Sequence, residues 1–173
     1  MANTYDLIAK YQATTGSLAS IDFTAIPQNY TDLLVKIPAR SSLNDSSFNI
    51  YFNGATGNIS GITMATYYAA PITGLTGGTV GSAQITTNAI TDVGRTTSVF
   101  AGIELYVTNY ASTSYAKQGW WTANQENFGA QAAASIGWFQ FDSSAISSIN
   151  LRLPATGVFI QYSTAYLYGI KKS

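Results

Sequence analysis

Apolar and polar residues alternate along much of the chain with a period of two. Leu33, Val35 and Ile37 share one parity, whereas Asp32 and Lys36 hold the other. Successive side chains of a strand point to opposite faces, so this pattern predicts a strand with one buried face. The same alternation occurs in four further segments, 19–23, 48–52, 103–107 and 149–153.

Four more segments are predicted as strands because they are rich in aromatic and β-branched residues: 4–11, 115–123, 135–141 and 164–170. Turn signals such as Asn53-Gly54 and Gly77-Gly78 separate the candidate strands. We therefore expect an all-β fold of about eight to ten strands, arranged as a sandwich or a barrel. The chain shows no shift in composition and no long repeat, so residues 1–173 are predicted as a single domain.

Two stretches are less regular. Residues 54–97 are rich in Gly, Thr, Ala and Ser, and their weak periodicity predicts long loops or short edge strands. Residues 130–134 contain an alanine run that could begin a helical turn. The apolar residues that follow in 135–141 favour a strand instead.

The composition predicts self-association. Only 9% of the residues are charged, against about 25% in typical soluble domains, and eight basic and eight acidic side chains give a formal net charge of zero. A small soluble domain normally carries a net charge of roughly 2 to 8. We expect much of the surface to be buried in an oligomer or a larger assembly.

The chain contains neither cysteine nor histidine. This excludes disulfides and thiolate chemistry, and it removes the usual general base, the commonest zinc ligand and the centre of serine triads. Nucleic acid is not an expected partner, since Lys171 and Lys172 are the only adjacent basic residues. No stretch reaches the roughly 18 apolar residues of a membrane span, and residues 1–10 lack the features of a Sec signal. We expect a protein that is made and used in soluble form.

Paired carboxylates could still serve a glycosidase, which needs no histidine. The candidates are Glu104, Glu126 and Asp142. Glu104 has the parity opposite to Ile103 and Leu105, so it is predicted to face away from the core. The alternative is that these acids are solvated or paired with Lys or Arg, and no motif favours catalysis. We therefore expect a protein that is not an enzyme, and we assign no catalytic residue.

Trp120 and Trp121 lie with Tyr115 and Phe128 in the densest aromatic cluster of the chain. Flat aromatic faces can stack against sugar rings, and amide groups for hydrogen bonds are nearby at Asn124, Gln125 and Asn127. Because neighbours on a strand point to opposite faces, one of the two tryptophans is predicted in the core and the other at the surface. The alternative to a sugar site is a role in the core and in an oligomer interface.

Aromatic residues of outward parity are further interface candidates, since aromatic residues are enriched at the centres of interfaces. The predicted oligomer or partner interface consists of Tyr51, Tyr106, Trp120, Trp121 and Tyr166. Each of them could equally belong to the core.

Three segments have features of ion or phosphate sites. Residues 44–47 and 53–58 offer oxygen ligands, but calcium sites gather several carboxylates and only Asp45 is present there. The Gly-rich run 74–78 is not followed by the Gly-Lys-Ser/Thr of a phosphate loop, so it is predicted as a flexible loop. No metal ion and no cofactor are therefore predicted.

Three segments carry a family resemblance. They are 26–40, which begins Ile-Pro-Gln-Asn-Tyr-Thr-Asp-Leu, then 48–54, and the closing Ala-Tyr-Leu-Tyr-Gly-Ile of 165–170. With the opening Tyr-Asp-Leu-Ile of residues 5–8, they resemble small virion structural proteins of tailed phages, especially phages of cyanobacteria and aquatic bacteria. These anchors span nearly the whole chain, although none of them is catalytic or exclusive to such proteins.

The resemblance implies a jelly-roll-like antiparallel β-sandwich that is trimeric and either decorates the capsid or belongs to a fibre or tail appendage. The chain has no heptads for a coiled-coil stem, which favours capsid decoration. The leading hypothesis is a cement protein, made in the host cytoplasm and bound as a homotrimer to the major capsid protein on the surface of the virion. The alternative is a tail or fibre module that binds surface glycans for host recognition. A third hypothesis is a glycan-cleaving enzyme that uses Glu104 or Glu126.

Overall fold

β-Strands are the only regular elements in the computed structural model, which describes residues 4–44, 47–54, 58–66, 75–82, 84–87, 90–127 and 131–171. Side chains are not described at 65–66, 75–80, 126–127 and 131–132. The strands are β1 (Tyr5–Gln12), β2 (Ser20–Phe23), β3 (Asp32–Ala39), β4 (Phe48–Phe52), β5 (Ile59–Thr66), β6 (Leu75–Ser82), β7 (Ile85–Thr87), β8 (Ala101–Val107), β9 (Lys117–Asn127), β10 (Gln131–Phe141), β11 (Ile149–Arg152) and β12 (Thr164–Ile170). Across these residues no helix is long and apolar enough to cross a membrane.

The strands form two antiparallel sheets. The longer sheet has eight strands in the order β1-β12-β3-β8-β9-β10-β5-β6, and the shorter sheet has four in the order β2-β11-β4-β7. The two sheets pack face to face around the hydrophobic core and so form a β-sandwich. The predicted all-β sandwich is confirmed.

The strand order is that of a jelly roll with two inserted hairpins. Eight strands, taken in chain order as β1, β2, β3, β4, β7, β8, β11 and β12, give the four-stranded arrangements β1-β12-β3-β8 and β2-β11-β4-β7. In each arrangement, strands from the first half of the series alternate with strands from the second half, which is the double Greek key of jelly rolls. The hairpins β5–β6 and β9–β10 extend the longer sheet beyond β8.

The sequence underestimated the number of strands. Nine of the twelve described strands correspond to predicted segments, and the other three, β5, β6 and β7, lie in the irregular stretch 54–97. The three-residue β7 is a short edge strand, as expected there, but β5 and β6 each have eight residues. Apolar alternation marks a strand that buries one face, and Gly, Ser and Thr weaken that signal in β5 and β6.

The structure confirms one of the turns predicted at glycines and contradicts another. Asn53 and Gly54 both have positive φ, 51° and 78°, as expected for the predicted turn. Gly77 and Gly78 lie inside β6, so the turn predicted there is wrong, as is the flexible loop predicted at 74–78 for its described residues 75–78. Glycine weakens a strand without forbidding it, and β6 lies at a sheet edge. At 131–134 the strand alternative is confirmed, because β10 begins at Gln131.

Large aromatic side chains join the two sheets. Phe52 of the shorter sheet packs between Phe139 and Phe141 of β10, with ring centroids 5.4 and 5.3 Å apart. Trp121 is 1% exposed and lies opposite Gly137 in the β9–β10 pair. A Cβ atom added at Gly137 would lie only 2.5 Å from the indole Nε1 of Trp121. The buried indole of Trp121 therefore leaves room only for a glycine at position 137.

We expect Gly137→Ala to destabilise the protein by about 1–3 kcal/mol, because the added methyl group overpacks the site around Trp121. The matched control is Gly16→Ala, where no atom lies within 4 Å of the new Cβ and φ is not positive. Urea unfolding, monitored by tryptophan fluorescence, measures the free energy of unfolding of both variants. Equal midpoints for the two variants would contradict this account of the core.

Candidate binding surface

A single row of large apolar side chains crosses the outer face of the longer sheet. The row is formed by directly opposed residues of seven strands that are neighbours in the sheet, in the order β1, β12, β3, β8, β9, β10 and β5. Strands lie about 4.8 Å apart, so the row is roughly 29 Å long. We call it the outer apolar row, and it consists of Leu7, Tyr168, Leu34, Tyr106, Trp120, Trp138 and Ile62.

Several members of the outer apolar row are exposed despite their size. Leu7 is 56% exposed, Trp138 48%, Ile62 46% and Trp120 40%. Isolated exposed apolar residues are common on protein surfaces, but a contiguous exposed patch marks an interaction site or a ligand groove. The outer apolar row is therefore the main candidate for a binding surface.

The centre of the row is held in place by an aromatic stack and a hydrogen bond. The Tyr106 and Trp120 rings are nearly parallel, with centroids 4.2 Å apart and an angle of 15°. The Tyr106 hydroxyl donates to Oδ2 of Asp32 at 2.8 Å, and Oδ1 of Asp32 accepts from the Asn109 amide at 2.8 Å. Burial, reinforced by the hydrogen bond to Asp32, raises the pKa of Tyr106 to about 12. Tyr106 is thus a fixed support for the indole of Trp120.

A row of uncharged polar side chains runs beside the aromatic half of the outer apolar row. It has the same cross-strand register, and each of its residues lies two positions before or after a member of the outer apolar row. We call it the amide row, and it consists of Thr108, Gln118, Gln140 and Ser60. Between the two rows lies a groove of about 660 Å³, and none of its lining residues is ionisable.

The end of the groove at Thr108 adjoins a loop that is tied down by a buried lysine. Lys117 has no exposed surface, and its amine donates to the carbonyl oxygens of Ser112 and, at 3.2 Å, Tyr115. Burial lowers the pKa of Lys117, an effect that nearby Asp142 partly opposes. The Thr108 hydroxyl donates to the carbonyl of Gln118 at 2.9 Å. These contacts fix the start of β9, from which the Gln118 side chain projects.

A second groove, of about 560 Å³, lies on the same face on the other side of the outer apolar row. An ion pair lines it, with Nζ of Lys36 2.9 Å from Oε1 of Glu104. The hydrogen bond with Glu104 and its charge raise the pKa of Lys36. Glu104 faces away from the core, as predicted, and its carboxylate is paired with a lysine.

Of the other two candidate acids, Asp142 directly follows the end of β10. Burial would raise the pKa of Asp142, but hydrogen bonds from Ser144 and Asn58 and the charge of Lys117 outweigh it and lower the pKa. The side chain of Glu126 lies outside the described residues. Among the side chains that are described, no three acidic residues gather into a group suited to a metal ion. Asp45 of the segment considered for calcium also lies outside the described residues.

The five predicted interface residues do not share one surface. Trp120 is exposed and Trp121 is buried, which confirms that one tryptophan is in the core and removes Trp121 as a surface contact. Tyr106 and Tyr166 lie with Trp120 on the outer face of the longer sheet. Tyr51 lies on the opposite side of the sandwich, with the guanidinium of Arg152 5.6 Å from its ring centre.

The aromatic cluster expected from the sequence is arranged differently in space. Tyr115 is 75% exposed in the loop before β9, and Gln125 is buried, so Gln125 cannot donate to a surface ligand. Phe128 and the side chain of Asn127 lie outside the described residues, and Asn124 accepts from the Gly102 amide at 3.0 Å. Sequence reasoning missed Trp138, Gln118 and Gln140 as surface residues. The signal that could have found them was their outward parity on predicted strands.

No protein-family model, curated protein or solved structure matches the chain. Jelly rolls occur in viral capsids and also in sugar-binding lectins, so this fold alone does not select a function. What distinguishes the chain is its outer face, where a long apolar row lies beside uncharged polar groups.

We expect Tyr106 to titrate near pH 12. Since its folded-state pKa lies above the ordinary value of 10.0, the neutral phenol contributes stability that is complete below pH 10 and is lost as the pH rises towards 12. The difference between tyrosinate absorbance curves of the unmodified protein and Tyr106→Phe isolates this group. Asp32→Asn should move the transition towards pH 10. A difference curve already centred at pH 10 in the unmodified protein would contradict the partly buried hydrogen bond between Tyr106 and Asp32.

Proposed function

We propose that the chain is a structural protein of a phage virion, one that decorates the outer surface of the capsid as an oligomer and stabilises the shell. The resemblance of residues 5–8, 26–40, 48–54 and 165–170 to virion proteins of tailed phages supports the proposal. The jelly-roll fold is compatible with it, since capsid proteins use this architecture. The oligomer we expect is a homotrimer, and its partner is the major capsid protein.

The observation that carries the proposal is the exposed apolar surface at the β1 edge of the longer sheet. Tyr5 and Leu7 of this strand are 53% and 56% exposed, and Tyr168 and Leu34 continue the apolar surface inward. An edge strand presents unpaired backbone groups with which another chain can pair. β1 also carries two charged residues, but Asp6 is paired with Lys171 and the amine of Lys10 lies 5.3 Å from the ring centre of Tyr166. An edge with large apolar side chains is suited to contact with another copy or with a capsid subunit.

The charge balance supports the same function. With a formal net charge of zero, copies of the chain do not repel one another over long distances. Contacts made by apolar groups and neutral hydrogen bonds are also weakly sensitive to salt. A decoration protein that joins neighbouring capsid subunits needs many such modest contacts, over roughly 1,000 Å² or more of interface at each site.

The direct test adds purified protein to matched particles that lack it. We expect binding in proportion to the major capsid protein, a higher temperature or osmotic threshold of rupture, and retention in moderate salt. A handful of bound copies without a change in rupture would contradict capsid decoration and indicate a tail or fibre location. Complete release in moderate salt would contradict the apolar contact.

A second test concerns self-association through β1. We expect Leu7→Lys to shift the protein towards monomer in sedimentation velocity, because the added charge would be buried without a partner in an edge contact. The fold should survive because Leu7 is more than half exposed. The control is Val93→Lys, which changes a 49% exposed aliphatic residue in a loop. If Leu7→Lys leaves the oligomer unchanged, or if both variants lose the oligomer to the same extent, the β1 edge is excluded as the contact.

A further inference from the structure

The groove between the outer apolar row and the amide row lies away from the β1 edge and has no part in the contact proposed above. One wall of the groove is aromatic and apolar and consists of Trp120, Trp138 and Ile62. The opposite wall is polar, and its main residues are Gln118 and Gln140. Backbone near Gly61 and Gly119 lines the space between the walls. Its volume of about 660 Å³ lies within the range of small-ligand sites, roughly 300–1,000 Å³.

The aromatic wall is organised before any ligand arrives. Tyr106 on β8 covers one face of Trp120, so the opposite face of that indole is turned towards β10 and Trp138. The hydrogen bond from Tyr106 to Asp32 holds the supporting ring in place. A fixed aromatic face loses little conformational entropy when a flat apolar surface stacks on it.

The polar wall offers hydrogen bonds that the protein does not use itself. In the described part of the chain, the side-chain amides of Gln118 and Gln140 have no hydrogen-bond partner, and both side chains are exposed. Each amide provides two N–H donors and one carbonyl acceptor. A matching ligand therefore presents donors as well as acceptors next to its apolar surface.

The groove is also uncharged, which narrows the class of ligand. Single-stranded nucleic acid stacks on aromatic residues but needs a basic groove for its phosphates, and acidic sugars similarly need cations. A proline-rich peptide can dock between aromatic side chains, yet proline has no N–H, so the acceptor oxygens of the two glutamines would lack donors. Sugar hydroxyls act as both donors and acceptors, and the C–H faces of sugar rings are apolar.

We propose that this groove binds a neutral glycan, with a sugar ring against Trp120 and Trp138 and its hydroxyl groups hydrogen-bonded to Gln118 and Gln140. The site combines β5, β9 and β10 with Thr108, which follows β8, and so brings together residues that are distant in the sequence. The proposal does not depend on whether the protein decorates the capsid. On a virion, such a groove would give weak, repeated attachment to cell-surface polysaccharide.

The test uses the full-length protein without particles, on an array that carries neutral and acidic glycans. A neutral oligosaccharide that binds is then titrated by tryptophan fluorescence, alongside a polyproline peptide and a short oligothymidylate. We expect saturable binding of neutral glycans, a loss of roughly tenfold or more in Trp138→Ala, and a smaller loss in Gln140→Leu. The control is Tyr115→Ala, which removes an aromatic residue that is 75% exposed outside the groove and should leave binding unchanged.

Several results would overturn the proposal. They are the absence of saturable binding to any neutral glycan, a preference for polyproline, oligothymidylate or acidic glycans, and glycan binding that neither groove variant weakens. Near-UV circular dichroism checks the fold of each variant, and Gln140→Leu decides the question if Trp138→Ala is not folded. Since no particle is present, a failure here is separate from a failure of capsid decoration.

Discussion

The register of the longer sheet is the constraint on which both the core and the outer surface depend. Trp120 and Trp138 are direct cross-strand neighbours on the outer face, while the adjacent residues Trp121 and Phe139 are buried on the inner face. A slip of one residue between strands exchanges the two faces. The close approach of Trp121 to Gly137 opposes such a slip, because only a residue without a Cβ fits opposite the buried indole. The packing that stabilises the sandwich therefore also aligns the outer apolar row.

The sequence predicted individual strands better than it predicted the surface they build. Alternation located β3, β4, β8 and β11, because each of them buries one face in a continuous core. The outer apolar row could not be predicted in the same way, since Leu7 meets Tyr168, and Trp138 meets Ile62, only after distant segments pair. Parity alone predicted that one of Trp120 and Trp121 is buried, without saying which. It also put Tyr51 in the same interface, although Tyr51 lies on the other sheet.

The two proposed contacts use different parts of the architecture. The β1 edge belongs to the eight jelly-roll strands, whereas the groove lies mainly on β9, β10 and β5, which the inserted hairpins add to the sheet. The insertions do more than lengthen the sheet, because they supply both tryptophans of the aromatic wall and both glutamines of the polar wall. The jelly roll supplies Tyr106, and through Asp32 it fixes the ring on which Trp120 rests.

Both contacts lie on or beside one face of the longer sheet, and this limits how they can coexist. A partner laid flat over the outer apolar row would cover Leu7 and Trp138 together and leave no room for a ligand in the groove. A partner that pairs with β1 in the plane of the sheet would use its unpaired backbone groups and the side chains of Tyr5 and Leu7. The groove, several strands away, would then stay open. Edge pairing is thus the arrangement in which a copy of the chain can be held in an assembly and still present its groove outward.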